Sequence, residues 1–276
     1  MTNLSQHSYN GPLKAAILDW AGTTVDYGSF APTAVFIKLF ARQGIKITEA
    51  HARLPMGLMK KDHLRAIAAI PEVSRQWEAQ FGAPITAAQI DSMFQDFVPL
   101  QVECLQEYAE PIPGVIETIA AFRKMGMKIG STTGYTREMM DVLFPAAQRK
   151  GYAPDACVTP TDVPAGRPYP WMCYQNAIEL QVYPLSAFVK IGDTLPDIEE
   201  GLNAGMWTVG LALSGNLLGL TQAEKESLPE SELARRREII SAQLFNAGAH
   251  YVVDGLWDCL DVIADINRRL ENGEKP

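Results

Sequence analysis

The sequence predicts an α/β fold, with a parallel sheet flanked by helices and an all-helical segment inserted after the first strand. Three observations lead there. Short apolar runs alternate with helix-period segments through most of the chain, the alternation stops between about Tyr27 and Ala109, and two apolar runs end on an aspartate. Strand–helix alternation needs crossover connections, and these cover a parallel sheet on both faces.

The elements follow in order. Residues 1–12 are polar without an apolar h-region, so residues 1–13 read as a loose tail rather than a signal peptide. The first strand, 15–20, delivers Asp19 into the small-residue loop Trp20-Ala21-Gly22-Thr23-Thr24. A carboxylate beside so little side-chain bulk leaves room for a ligand. Helices alone follow. Residues 32–43 carry Val35, Phe36, Leu39 and Phe40 at helical spacing, and 58–70 carry Leu64, Ile67 and Ala68 likewise. Residues 86–108 form a long amphipathic candidate with Ile90, Phe94, Phe97 and Leu105, which Pro99 would kink. Gly28 and the segment 110–114 (Glu-Pro-Ile-Pro-Gly) are candidate hinges. The expected division is a helical cap over 28–109 and a core made of 14–27 and 110–276.

Beyond the second hinge the alternation resumes. Strands are expected at 128–133, 157–159, 188–193, 208–213 and 251–254, with helices at 113–125, 136–150, 170–180 and 195–204. Residues 214–232 are polar and irregular, leading into a helix with an N-cap near Ser231. Ligands of such sheets bind beyond the carboxyl ends of the strands. That rule gathers Asp19, Thr132-Thr133 and Asp193 at one place. Two strand ends that each deliver a carboxylate suggest a Mg²⁺ site built for phosphate chemistry. Asp197 opens a helix, where it can cap or support such a site.

Composition narrows the function. Of 276 residues 47% are hydrophobic, enough for a sizeable core. The net charge of −8 argues against nucleic acid as the main partner. No apolar stretch approaches the roughly 20 residues of a membrane span. Cys104, Cys157, Cys173 and Cys259 form no CxxC pair, so a reduced, cytoplasmic protein is expected. Neither GxGxxG nor GxxxxGK[ST] occurs.

Several motifs resemble a known family. Asp19-Trp20-Ala21-Gly22-Thr23-Thr24, Ser131-Thr132-Thr133-Gly134, Arg167 and Gly192-Asp193…Asp197 resemble the four motifs of the haloacid dehalogenase superfamily. The runs DWAGTTVDYG, PMGLMKKDH, GSTTGYTREMM, GRPYPWM and GDTLPDIEEG resemble, more narrowly, its phosphonoacetaldehyde hydrolases, over roughly residues 14 to 270. The resemblance implies a Rossmann-like parallel sheet core flanked by helices, with an inserted all-helical cap domain. It implies a Mg²⁺-dependent homodimer that hydrolyses a small-molecule phosphonate, phosphonoacetaldehyde, to acetaldehyde and phosphate. Asp19 would be nucleophile and metal ligand, with the Ala21 carbonyl and Asp193 completing the protein ligands. Thr133, Gly134 and Arg167 would surround the phosphoryl oxygens. Lys60 would form a Schiff base, with His63 and Tyr135 near it and Met56 and Thr23 in the substrate pocket. Ser29 departs from the pattern, standing where some members carry cysteine.

The chemistry explains why such residues belong together. Breaking a carbon–phosphorus bond expels a carbanion, and a lysine imine provides the electron sink that accepts it as an enamine. Free lysine is mostly ammonium at pH 7, so Lys60 must be depressed by burial and a neighbouring cation, Arg167 or Mg²⁺. His63, three residues on, shares its helix face and is expected to shuttle protons. Ester-cleaving relatives place a second aspartate two residues after the nucleophile to protonate the leaving oxygen. Here that position is Ala21, which disfavours the alternative of a generic Mg²⁺-dependent phosphomonoesterase or phosphomutase. Whether Thr132 or Thr133 meets phosphate stays open at this point.

Overall fold

The computed structural model describes residues 9–276. Its sheet has six parallel strands: β1 Ala15–Leu18, β2 Lys128–Thr132, β3 Ala156–Val158, β4 Phe188–Gly192, β5 Trp207–Leu211 and β6 Tyr251–Val253. Their order is β3-β2-β1-β4-β5-β6. All four residues of β1 are buried, as a central strand covered on both faces requires. Each expected strand is present, and the ladders stop up to two residues early. After Leu18 only the Asp19 amide continues, donating to the Ile191 carbonyl at 3.1 Å, and the amides of Thr23, Thr24 and Val25 turn back to the Trp20 carbonyl.

The insert after β1 carries five α-helices before the chain rejoins the sheet layer: α1 Ala31–Arg42, α2 Glu49–Arg53, α3 Lys60–Ala68, α4 Pro71–Phe81 and α5 Ala87–Leu105. α1 starts without a side-chain cap of its own. Asp26 supplies one, its carboxylate accepting the Phe30 and Ala31 amides at 3.0 Å each. α1 packs Val35, Phe36, Leu39 and Phe40 inward, and Phe36 stacks on Phe97 of α5 at 4.6 Å. Pro99 does not interrupt α5. The two crossings between the insert and the sheet run side by side. Val25 bridges Pro111, and the Ile112 amide donates to the Thr24 carbonyl at 2.9 Å.

The sheet is flanked by α6 Val115–Lys124, α7 Arg137–Arg149, α8 Trp171–Leu180, α9 Leu195–Asn203, α11 Glu230–Asn246 and α12 Cys259–Glu271, with the short α10 Gln222–Glu226 before α11. The cap of α11 is Pro229, two residues before the expected Ser231. Residues 1–8 of the expected tail lie outside the described residues. Leu13 is buried and donates its amide to Asn267 Oδ1 at 2.8 Å, so anchoring begins before residue 14.

Register sets the site. Leu18 stands opposite Ser131 of β2 and Ile191 of β4. Asp19, Thr132 and Asp193 therefore leave the sheet together. The chain moves outward from β1 through β2 to β3, then returns to the other side of β1 as β4. That reversal opens a crevice beyond β1 and β4.

Candidate active site

A narrow cleft occupies this crevice. Asp19, Ala21, Thr133, Gly134, Arg167 and Thr194 line it from the sheet side, and Ser29, Pro32, Met56, Gly57, Lys60 and Tyr135 complete it. Of the residues singled out from sequence, Asp19, Ala21, Met56, Lys60, Thr133, Gly134, Tyr135 and Arg167 thus meet at one surface.

Arg167 organises the sheet side. Its Nη2 donates to Asp19 Oδ1 at 2.6 Å and to Thr132 Oγ1 at 2.8 Å, and its Nε donates to Glu200 at 3.0 Å. The Thr132 hydroxyl also donates to Glu200, at 2.9 Å, so it is turned away from the cleft. Thr133 faces the cleft, which separates the two threonines that sequence could not. Lys190 Nζ, wholly buried in β4, donates to Asp197 Oδ1 at 2.5 Å. Burial works against charging Asp197, but Arg167 and Lys190 overcome it and hold the carboxyl below its ordinary value. Asp197 also accepts the Thr194 hydroxyl and amide, so it caps α9 and braces the cations at once.

Asp193 is fully buried, with Thr23 Oγ1 donating to Oδ1 at 2.9 Å and the Asn216 amide to Oδ2 at 2.7 Å. Thr23, expected in the substrate pocket, is instead committed to this carboxylate. The loops touch it so closely that a Cβ on Gly22 or Gly215 would come within 2.4 or 2.2 Å of Oδ2. Burial, then the neighbouring Asp19 and Asp197, push the Asp193 carboxyl well up. Burial likewise pushes Asp19 up, against the pull of Arg167. Carboxylate oxygens of Asp19, Asp193 and Asp197 lie within 4.8 Å of one another. Arg167 and Lys190 together balance Asp197 and Glu200. The charges of Asp19 and Asp193 are left over, which is the deficit a divalent cation would fill. The donor set is all oxygen, as suits Mg²⁺.

Lys60 enters from the insert. It is the first residue of α3, is 3% exposed, and its amide donates to the Gly134 carbonyl at 3.2 Å. Nζ lies 4.8 Å from the centre of the Tyr135 ring. Burial lowers its pKa to about 8, with Asp19 opposing and Arg167 adding to the fall. The positive end of α3 also disfavours the ammonium form. Gly57 (φ 94°) lets the insert dock, since a Cβ there would meet Thr194 Oγ1 at 2.2 Å, and its carbonyl accepts Arg167 Nη1 at 3.3 Å. Arg53 and Asn216 clasp the same junction. Arg53 Nη1 donates to the Gly28 carbonyl at 2.7 Å, and Asn216 Nδ2 donates to the Arg53 carbonyl at 3.0 Å.

His63 is placed differently from expectation. It lies behind Lys60 rather than in the cleft, its ring against Phe36 at 4.0 Å. Nε2 is 2.7 Å from the Ala52 carbonyl, so in the neutral ring that nitrogen carries the proton. Burial and the Lys60 charge hold its pKa well below the histidine range. The Tyr135 hydroxyl is buried without a partner among the described residues, and burial pushes its pKa well up, keeping it a neutral phenol. Sequence reasoning passed over Lys190, Glu200, Arg53 and Asn216. Only Lys190 carried a signal, as a lone charge inside an apolar strand.

Residues 13–205 match the family model for haloacid dehalogenase-like hydrolases. A phosphonoacetaldehyde hydrolase-like protein of Syntrophobacter fumaroxidans is 52% identical over 268 residues, covering 97% of each chain. A phosphonoacetaldehyde hydrolase of Bacillus cereus strain AH187 is 49% identical over 257 residues, covering 93% of this chain and 97% of its own. The crystal structure of a phosphonoacetaldehyde hydrolase-like protein from Oleispira antarctica superposes with a TM-score of 0.97 at 41% identity, covering all of both chains. The chain is therefore a hydrolase and belongs to the phosphonoacetaldehyde hydrolase family within the haloacid dehalogenase-like hydrolases.

Proposed function

We propose that this hydrolase cleaves the carbon–phosphorus bond of phosphonoacetaldehyde, with Lys60 as imine former and Asp19 as phosphoryl acceptor. The observation that carries the reading is a buried lysine, held near pKa 8, lining one cleft with the buried aspartate of β1. A generic phosphomonoesterase has no use for that amine.

The steps balance as follows. Neutral Lys60 condenses with the aldehyde, water leaves, and the imine takes a proton. Asp19 attacks phosphorus as the C–P bond breaks, and the bond's electron pair moves to the former aldehyde carbon framework as an enamine on Lys60. Protonation at carbon returns the iminium, and water releases acetaldehyde and the free amine. A second water hydrolyses the aspartyl phosphate to phosphate. Arg167 offsets the repulsion between Asp19 and the phosphonate, and Thr133 and the Gly134 amide supply donors to the phosphoryl oxygens. Asp19, Asp193 and the Ala21 carbonyl would hold Mg²⁺, which when bound neutralises charge between carboxylate and phosphoryl group. Ala21 supplies no acid, and an enamine leaving group needs none. Tyr135 bounds the amine's side of the cleft with its ring. His63 is not among the residues lining the cleft, and with Nε2 held by the Ala52 carbonyl its part is to keep Lys60 packed. On this reading the enzyme works as a cytoplasmic homodimer, as its resemblance to the family implies.

Lys60→Arg tests the reading, because it keeps the charge but cannot form an imine. Acetaldehyde and phosphate release should fall to background with the fold unchanged by circular dichroism. Retained C–P cleavage, or wild-type turnover of simple phosphate esters exceeding that of the phosphonate, would favour the phosphomonoesterase.

A further inference from the structure

We infer that Glu200, backed by Lys190, is a positioning residue that sets the plane of the Arg167 guanidinium and thereby tunes the phosphoryl end of the site. The inference rests on the function proposed above.

Glu200 is wholly buried on α9, one turn after Asp197, so both carboxylates share a helix face. Oε2 accepts Arg167 Nε at 3.0 Å and Thr132 Oγ1 at 2.9 Å, with Lys190 Nζ at 3.5 Å. Oε1 is buried and has no hydrogen-bond partner among the described residues. A half-bonded buried carboxylate is a poor choice for stability alone, since an apolar residue of similar volume costs less. Lys190 reaches this platform because Gly201 leaves it space. A Cβ at 201 would stand 2.8 Å from Lys190 Cβ.

The geometry gives Glu200 a distinct task. Arg167 Nη2 is shared by Asp19, Thr132 and Asp197, and Nη1 reaches Gly57 of the insert. Those contacts hold one end of a planar fork. Among the described residues Glu200 alone holds Nε, and adding Nε to the two terminal nitrogens fixes the plane. Without Glu200 the guanidinium, still held at Nη1 by Gly57 and at Nη2 by Asp19 and Thr132, can swing about the line joining those two nitrogens, and its plane at the phosphoryl end is no longer set. Among the described residues Lys60 makes no hydrogen bond or ion pair with Glu200, and Glu200→Gln keeps the Arg167 charge that bears on Lys60, so imine formation should change little.

That independence makes the role measurable in the Mg²⁺-loaded protein with Glu200→Gln. The aldehyde step is read with acetaldehyde, which lacks a phosphoryl group, by borohydride reduction and peptide mapping of Lys60. The phosphoryl step is read from KM for phosphonoacetaldehyde and from competition by inorganic phosphate. Expected are wild-type labelling of Lys60 by acetaldehyde, a rise of about tenfold or more in the phosphate inhibition constant and in KM, and a fall of roughly 10²-fold in kcat/KM. Thr132→Val, which removes only the hydroxyl shared with Glu200 and Arg167, should move the same constants in the same direction by less. Unchanged phosphate competition in folded Glu200→Gln overturns the inference. So does equal loss of acetaldehyde labelling and phosphate affinity, the mark of a general structural role. If Glu200→Gln fails to fold, Thr132→Val decides by the same criterion. Absent Lys60 labelling in the wild type would count against the imine instead, since phosphate competition is read separately.

Discussion

Replacing Lys60 by methionine should abolish turnover and stabilise the fold. The magnitude follows from the site. Lys60 is 3% exposed and titrates near 8 rather than at the ordinary 10.5. At about 1.36 kcal/mol per pH unit, the charged form carries a penalty of roughly 3 kcal/mol in the folded protein. The approach of Nζ to the Tyr135 ring, lost in the variant, offsets about 1 kcal/mol of the gain. Metal-free Lys60→Met should therefore be more stable than wild type by about 1–3 kcal/mol at pH 7. The sign depends on pH. Below pH 8 folded and unfolded chains both hold the proton, and wild type bears the whole penalty. Between about 8 and 10.5 only the unfolded chain is protonated, so wild-type stability rises with pH and the variant's advantage shrinks. Urea unfolding of both proteins at pH 7.0 and 9.5, with metal chelated, measures this. An advantage that is absent at pH 7, or equally large at both pH values, would refute the claim that a buried, depressed amine sits in the cleft.

Two further outcomes follow from the same geometry. The kcat/KM for phosphonoacetaldehyde should climb with pH and level off above about 8 as Lys60 deprotonates, and a profile flat from pH 6.5 to 9 would contradict that. Gly57→Ala places a Cβ against Thr194 at a φ of 94°, so it should cost about 1–2 kcal/mol of stability and displace the loop carrying Met56. Activity should fall at least about tenfold, whereas full activity would show that this docking contact is dispensable.

The fold was largely legible because its signals are local. Continuous apolar runs ending in Asp19 and Asp193 gave the central strands, and the loss of alternation marked the insert. Within the insert α2 and α4 were missed. α2 has five residues and buries only Ala52, and α4 buries only Val73 and Trp77, so neither writes a helical stripe. α12 was missed too, although its buried Cys259, Val262, Ile263, Ile266 and Leu270 follow helical spacing. Site residues at strand ends were found because topology gathers them. Residues that act through others were not. Thr23 turns to Asp193, Asp26 became the cap of α1, and Glu200 serves Arg167 across 33 positions of sequence. Such partnerships depend on side-chain directions that spacing does not encode. The position of His63 was read correctly as the Lys60 face of α3, but the 2.7 Å contact with the Ala52 carbonyl that holds it behind the cleft comes from a different helix.

The claim that a lysine of the insert and an aspartate of the sheet act on one substrate is tested most directly by trapping. Borohydride is added to the Mg²⁺-loaded enzyme during turnover of phosphonoacetaldehyde, and the digest is mapped by mass. A reduced two-carbon adduct on Lys60, formed only with substrate and accompanied by inactivation, is the expected result. Labelling at another lysine, or full activity with no adduct at all, would contradict it.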